Sequence, residues 1–160
     1  MAEGLFNRPQ NKIINAYDVH GAKHQRELKN FKFRASAYGV LIKDGKVLFK
    51  RQQSVKKFDL PGGGIEIGET IPEGLVREFK EETGLTVKIG RLLFVDESFF
   101  THNGEDAHGI LIFYEVKMIS GTLATNQDDS AEVKYLDISS LNHNNVHRSC
   151  WNMIDIIKSV

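Results

Sequence analysis

Apolar and polar positions along the chain change rhythm several times, and each change predicts an element. Ala35 to Ile42 and Val47 to Phe49 are apolar runs separated by Lys43-Asp44-Gly45-Lys46. Asp-Gly between two such runs predicts a β-hairpin, because both central residues of the tightest turn take positive φ. The return strand runs out in Lys50-Arg51-Gln52-Gln53. Phe58-Asp59-Leu60-Pro61-Gly62-Gly63-Gly64 reads as a loop, its glycines free to adopt backbone shapes closed to residues with a Cβ. A helix is expected to start at Thr70-Ile71-Pro72-Glu73, where Thr70 can cap, Glu73 completes a capping box and Pro72 is tolerated in the first turn. Gly84 is placed to stop it. Leu85 to Asp96, Ile110 to Met118 and Glu132 to Leu136 have the β-branched, aromatic or alternating content of strands. Trp151, Met153, Ile154 and Ile157 recur at helical spacing, so Ser149 to Val160 reads as a closing helix. Strands on both sides of a helix make the class mixed α/β.

Residues 1–30 show no such rhythm. His20, Lys23, His24, Arg26, Glu27 and Lys29 crowd together there, and the stretch is expected to be a flexible lead-in, a short helix or a surface that packs on a second subunit in a homodimer. The remainder, 31–160, is expected to be one domain, since 160 residues suit one core rather than two. With 21 Lys+Arg against 21 Asp+Glu the net charge is zero, which argues against a broad field attracting nucleic acid or an anionic membrane. Cys150 is the single cysteine, so no intramolecular disulfide can form and a reducing compartment is the natural setting. The first twelve residues lack the apolar run of a signal peptide, and no stretch approaches the roughly 18 apolar residues of a membrane span. The expectation is a cytoplasmic protein without a membrane partner.

The expected helix carries the chemistry. On a wheel of about 100° per residue with Glu78 at zero, Glu82 falls near about +40° and Glu81 near about −60°. Three carboxylates therefore share one face, while Leu75, Val76 and Phe79 lie on an adjoining sector suited to a sheet. Like charges three or four apart cost a bare helix a few tenths of a kcal/mol per pair, so something should offset them. Hard oxygen ligands beside open water positions suit Mg²⁺, with Mn²⁺ as a substitute, held jointly with substrate phosphates. A charged, solvated face balanced by Arg77 and Lys80 is the plainer explanation. Gly74 weighs against it: it falls near about −40°, inside the acidic sector, where a glycine costs up to about 1 kcal/mol relative to alanine. A close approach of the glycine loop would account for it.

These residues resemble a known family. Gly63, Glu69 and then Arg77-Glu78-Phe79-Lys80-Glu81-Glu82-Thr83-Gly84-Leu85 are similar, at every defined position, to the signature of the Nudix (MutT-like) hydrolases. Phe79 is a less usual occupant of its position, and Phe58 stands where tryptophan is common in the lead-in. The resemblance covers about residues 33–158. It implies an α/β/α sandwich with a mixed central sheet, and metal-dependent hydrolysis of a nucleoside diphosphate linked to another group. It further implies that Glu81 and Glu82 are metal ligands, that Glu78 is a ligand or the base that activates water, that Arg77 orients Glu78, that Glu69 supports the metal site and that the Gly63 region offers a carbonyl. A small nucleotide is the implied partner. The physics is compatible, since divalent cations neutralise a diphosphate and acidify water, and a nearby carboxylate can take the proton.

Other residues are weaker candidates. Lys50 and Arg51 could contact phosphate, and Arg51 is the candidate substrate-binding residue of the two. Glu97 is a candidate substrate carboxylate, and among Glu115, Asp128, Asp129 and Glu132 the preference falls on Glu132. Phe99, Phe100 and Tyr114 could stack on a base, although strand aromatics more often fill cores. His108 could touch a ligand, His143 and His147 have the spacing of a metal pair without a third ligand, and Cys150 reads as a small buried apolar residue. Within the class, ADP-ribose or a nucleotide sugar is expected, with an oxidised nucleoside triphosphate as the alternative. A catalytically inactive nucleotide-sensing module is the alternative outside enzymes, and the intact signature argues against it.

Overall fold

The computed structural model describes residues 12–102, 104–124 and 130–159. In chain order the elements are β1 (Ile13–Tyr17), β2 (Lys23–Glu27), β3 (Lys32–Val40), β4 (Ile42–Lys43), β5 (Lys46–Gln52), β6 (Gly62–Gly64), α1 (Ile71–Thr83), β7 (Leu85–His102), β8 (Glu105–Gly121), β9 (Ser130–Asp137) and α2 (Trp151–Ser159). A six-stranded sheet has the order β2-β1-β7-β8-β3-β6, and a three-stranded one the order β4-β5-β9. The larger sheet is mixed: β3 runs parallel to β8, and β7 antiparallel to it. Register shifts interrupt the β7–β8 ladder at three places, which bends and twists these long strands.

The local signals act as expected. Asp44 and Gly45 turn the β4–β5 hairpin with φ of 51° and 73°. Thr70 and Glu73 close a reciprocal capping box on α1, and Gly84 ends it in the left-handed region at φ 75°. The final helix is shorter than its apolar pattern, because Arg148–Cys150 form a 3₁₀ turn ahead of it. The expected loop at Gly62–Gly64 is a short strand hydrogen-bonded to β3. Residues 13–27 also differ from the reading of a lead-in or short helix: they form an antiparallel hairpin, and β1 bridges to β7 through Tyr17 and Phe100. β2 shows no alternation because both of its faces are polar.

The central strands separate two apolar clusters. Leu75 and Phe79 of α1 pack with Ala37, Leu48, Leu85, Val87 and Val116. Met153, Ile154 and Ile157 of α2 pack with Val40, Val47, Phe49, Leu111 and Phe113. On β5, Leu48 therefore faces α1 while Val47 and Phe49 face α2, as a strand buried on both faces requires. This is an α/β/α arrangement. Cys150 is buried in the α2 cluster, but it is more than filler, since its Sγ donates to Oδ1 of Asp59 at 2.8 Å. Burial, followed by the charge of Asp59, pushes its thiol well above the ordinary range.

Two outcomes follow from this packing. A Cβ at Gly39 would stand 2.7 Å from Cε2 of the buried Phe79 ring. Gly39→Ala should cost about 1–3 kcal/mol by overpacking, and Phe79→Ala about 3–5 kcal/mol by leaving a cavity, both read from urea unfolding midpoints. Cys150 should resist iodoacetamide at pH 8 in the native protein and react readily in urea, because the thiolate is the reactive form.

Candidate active site

The glycine strand β6 is a thin wall between α1 and an open cavity. Its pairing sets Gly63 opposite Ala37, on the α1 side, and Gly62 and Gly64 opposite Tyr38 and Ser36, on the other side. A Cβ at Gly63 would lie 2.6 Å from Oε2 of Glu78. One at Gly74 would lie 2.7 Å from Cδ1 of Ile65 and 2.9 Å from Oε2 of Glu69. The missing side chains at Gly63 and Gly74 therefore let the loop lie directly on the acidic helix face, which is the use expected for Gly74.

Two cations organise the carboxylates. Arg77 donates from Nε to Oε1 of Glu69 at 2.7 Å and from Nη2 to Oε2 at 2.9 Å, a bidentate pair. The same guanidinium reaches Glu78 Oε1 at 2.9 Å, Glu81 Oε2 at 3.4 Å and the Gly64 carbonyl at 3.2 Å. The hydrogen bonds from Arg77, then the amide of Glu66, hold the Glu69 carboxyl down at about 2. On the other side of the wall, Glu82 accepts from the Gly62 amide at 2.8 Å and pairs with Lys50. Burial raises Glu82 to about 7, although the Lys50 ammonium and the Gly62 amide both pull it down. Burial works to lower Lys50, but the facing charges of Glu82 and Asp59 outweigh it and keep the ammonium protonated.

A cavity of about 270 Å³ opens on this wall. Glu82, Gly62, Lys50 and Asp59 line it, together with Arg34, Ser36 and Tyr38 on alternate positions of β3. The N-terminal hairpin adds Tyr17, Asp18 and Val19. Arg148 of the turn before α2 lies 4.1 Å over the Tyr17 ring and ties this hairpin to the closing helix.

The other candidates are distributed unevenly. Arg51 lines the cavity, but its guanidinium is held by Glu132 at 2.9 and 3.1 Å, so the two form one pair at the β5–β9 ladder. Glu97 stands exposed on the opposite face of β7, 3.4 Å from His108, and is not among the lining residues. Phe100 faces the cavity, whereas Phe99 stacks on His108 and packs edge-on to Phe31. Tyr114 packs at the α1 cluster, and Glu115 pairs with Arg91. His143 stacks on Trp151, while His147 caps the turn at Ser149, so they do not act as a pair. Asp128 and Asp129 lie outside the described residues. Arg34, Asp59 and Tyr17 were not singled out from the sequence. The alternation Arg34-Ser36-Tyr38 against Ala35-Ala37-Gly39 is the one local signal that marks a polar face on a central strand.

The donor set fits a hard divalent cation in its chemistry: three carboxylates on one helix face, with a backbone carbonyl strand against them. Among the described residues, no three His, Cys, Asp or Glu side chains stand together at metal-holding distance. Arg77 pairs with Glu78 and Glu81, and Lys50 pairs with Glu82. A cation shared by Glu78, Glu81 and Glu82 would compete with both for them.

Residues 32–155 match the family profile described as the NUDIX domain. An ADP-ribose pyrophosphatase of Methanocaldococcus jannaschii is 37% identical over 124 residues, covering 73% of this chain and 72% of that protein. A putative ADP-ribose pyrophosphatase of Bacillus subtilis is 33% identical over 89 residues, covering 55% of this chain and 43% of that protein. Among solved structures, a UDP-X diphosphatase superposes with a TM-score of 0.64 at 23% identity, over 80% of this chain and 62% of the other, a likeness of fold. Nudix hydrolases cleave pyrophosphate linkages in nucleotides and generally need a divalent metal. The helix signature, the sandwich around it and a profile match over most of its length place this chain in the Nudix hydrolase family.

Proposed function

We propose that the chain hydrolyses the pyrophosphate bond of a small nucleoside diphosphate linked to another group, ADP-ribose or a nucleotide sugar, with Mg²⁺ and with Mn²⁺ as a substitute. The observation that carries the reading is Glu82: one carboxylate of the acidic helix face reaches past the glycine strand and lines the cavity beside Lys50. The helix that would hold the cation and the space that would hold the nucleotide thus share a residue. Similarity to the M. jannaschii ADP-ribose pyrophosphatase supports ADP-ribose as the substrate.

Glu78, Glu81, Glu82 and the carbonyl of Gly63 are the groups proposed to hold the metal. When bound, a divalent cation neutralises the diphosphate and makes water a better nucleophile at neutral pH. Glu78 is proposed to accept the proton of the water that attacks phosphorus as the bridging P–O bond breaks. Arg77 holds Glu78 against the glycine strand, and Glu69 fixes Arg77 by its bidentate pair. Lys50 keeps its charge beside Glu82, so it can also meet the departing phosphate. Arg51 and Glu132 hold each other at the cavity edge and would act on the substrate as one unit.

A panel of ADP-ribose, nucleotide sugars, dinucleoside polyphosphates and oxidised nucleoside triphosphates, each with and without Mg²⁺, tests the reading. Turnover should be highest on the first two and vanish with EDTA. Glu78→Gln should lower kcat by at least about 100-fold, with comparable losses for Glu81→Gln and Glu82→Gln. Highest turnover on oxidised triphosphates would replace the substrate assignment. Tight nucleotide binding with no metal-dependent turnover of any compound would make the chain a sensing module.

A further inference from the structure

Among the described residues, the lysines and arginines that line the cavity are engaged by the protein, with one exception. Lys50 is paired with Glu82, Arg51 with Glu132, and Lys57 donates to the His143 carbonyl at 3.1 Å. Arg34 makes no hydrogen bond and no ion pair among the described residues. The carboxylate that feels its charge, Glu105, is itself bound by Lys32. An arginine without a partner is ordinary on an open surface. Arg34 instead projects from a central strand of the sheet, on the same face as Ser36 and Tyr38, into the cavity that Glu82 and Gly62 line.

Its placement depends on a second residue. A Cβ built on Gly64 would fall 2.6 Å from Nε of Arg34 and 2.8 Å from its Cζ, and closest of all to Nη2. All three of the nearest atoms belong to the guanidinium, so the planar group lies flat on the bare Cα of Gly64. Gly64 carries no positive φ. The backbone there is open to any residue, and the room that glycine leaves is room for Arg34. On the other side of the same residue, the Gly64 carbonyl accepts from Arg77. Two guanidiniums thus flank one glycine, one turned to the acidic helix and the other to the cavity.

We propose that Arg34 is a substrate-positioning residue that grips the diphosphate oxygens, and that Gly64 lacks a side chain to keep its guanidinium in place. The assignment rests on the pyrophosphohydrolase reading above. An arginine fork matches two phosphoryl oxygens at once, and its donors here need not be released from a protein partner first. Lys50 meets the same anion as a point charge, which leaves the orientation of the diphosphate to Arg34. The Arg34 side chain is exposed and has no hydrogen-bonded partner among the described residues, so the protein fold does not depend on it.

The test compares the full chain with Arg34→Ala, Arg34→Lys, Gly64→Ala and the Arg34→Ala/Gly64→Ala double variant. Initial rates on ADP-ribose give KM and kcat, and calorimetry with imidodiphosphate and Mg²⁺ gives affinity without turnover. Arg34→Ala should raise KM and weaken imidodiphosphate about ten- to a hundred-fold, the loss expected for charged hydrogen bonds. Its kcat should stay within about threefold, the mark of uniform binding. Arg34→Lys should recover part of the loss. Gly64→Ala should show the same KM-weighted defect, and the double variant should be no worse than Arg34→Ala, since both changes remove one contact. Unchanged KM and imidodiphosphate affinity in Arg34→Ala would overturn the assignment, as would full additivity in the double variant. Imidodiphosphate binding that depends on Arg34, in a chain that turns over no nucleotide, would uphold Arg34 and overturn the enzymatic reading instead.

Discussion

Glu82 is held from two sides, by the amide of Gly62 and by the ammonium of Lys50. Those contacts join three elements that follow one another along the chain: the buried strand β5, the glycine strand β6 and the acidic helix α1. Both members are largely buried, so each needs the other's charge to offset its lost hydration. Partly buried carboxylates and ammonium groups are costly unless matched, and a match at this depth fixes their positions more firmly than a surface pair would. The rest of the site is arranged around that link. Arg77 gathers the remaining acids on the helix side of the glycine wall, and the cavity opens on the other.

Much of α1 was legible because its determinants are local. The capping box, the stop at Gly84 and the placement of three glutamates on one face all depend on residues within a few positions of one another. Gly74 was legible for the same reason: its cost in a helix demanded a neighbour, and Ile65 and Glu69 are that neighbour. The partners that complete the site come from far along the chain. Nothing near Lys50 announces Glu82, and nothing near Arg34 announces Gly64.

Long strands explain what could not be read. The two neighbours Phe99 and Phe100 fall on opposite faces, so one packs among aromatics and the other faces the cavity. Three register shifts in the β7–β8 ladder make that parity depend on backbone irregularities that no residue pattern marks. By the same alternation Glu97 falls on the face of β7 that carries His108, away from the cavity. The N-terminal hairpin escaped notice because its strands lie at the sheet edge and bury little, yet Tyr17, Asp18 and Val19 line the cavity. Its stretch of crowded charge is explained in part by internal pairs such as His24 with Asp18 at 2.9 Å.

The central claim is that the acidic face of α1 and the cavity meet at Glu82, so that metal and nucleotide bind to one continuous site. Titration of Mn²⁺ followed by electron paramagnetic resonance, with and without a non-hydrolysable ADP-ribose analogue, measures this most directly. The wild-type chain should bind Mn²⁺, the analogue should tighten that binding, and Glu82→Gln should weaken it by at least about tenfold and abolish the tightening. Mn²⁺ affinity that is indifferent both to the analogue and to Glu82→Gln would contradict the account.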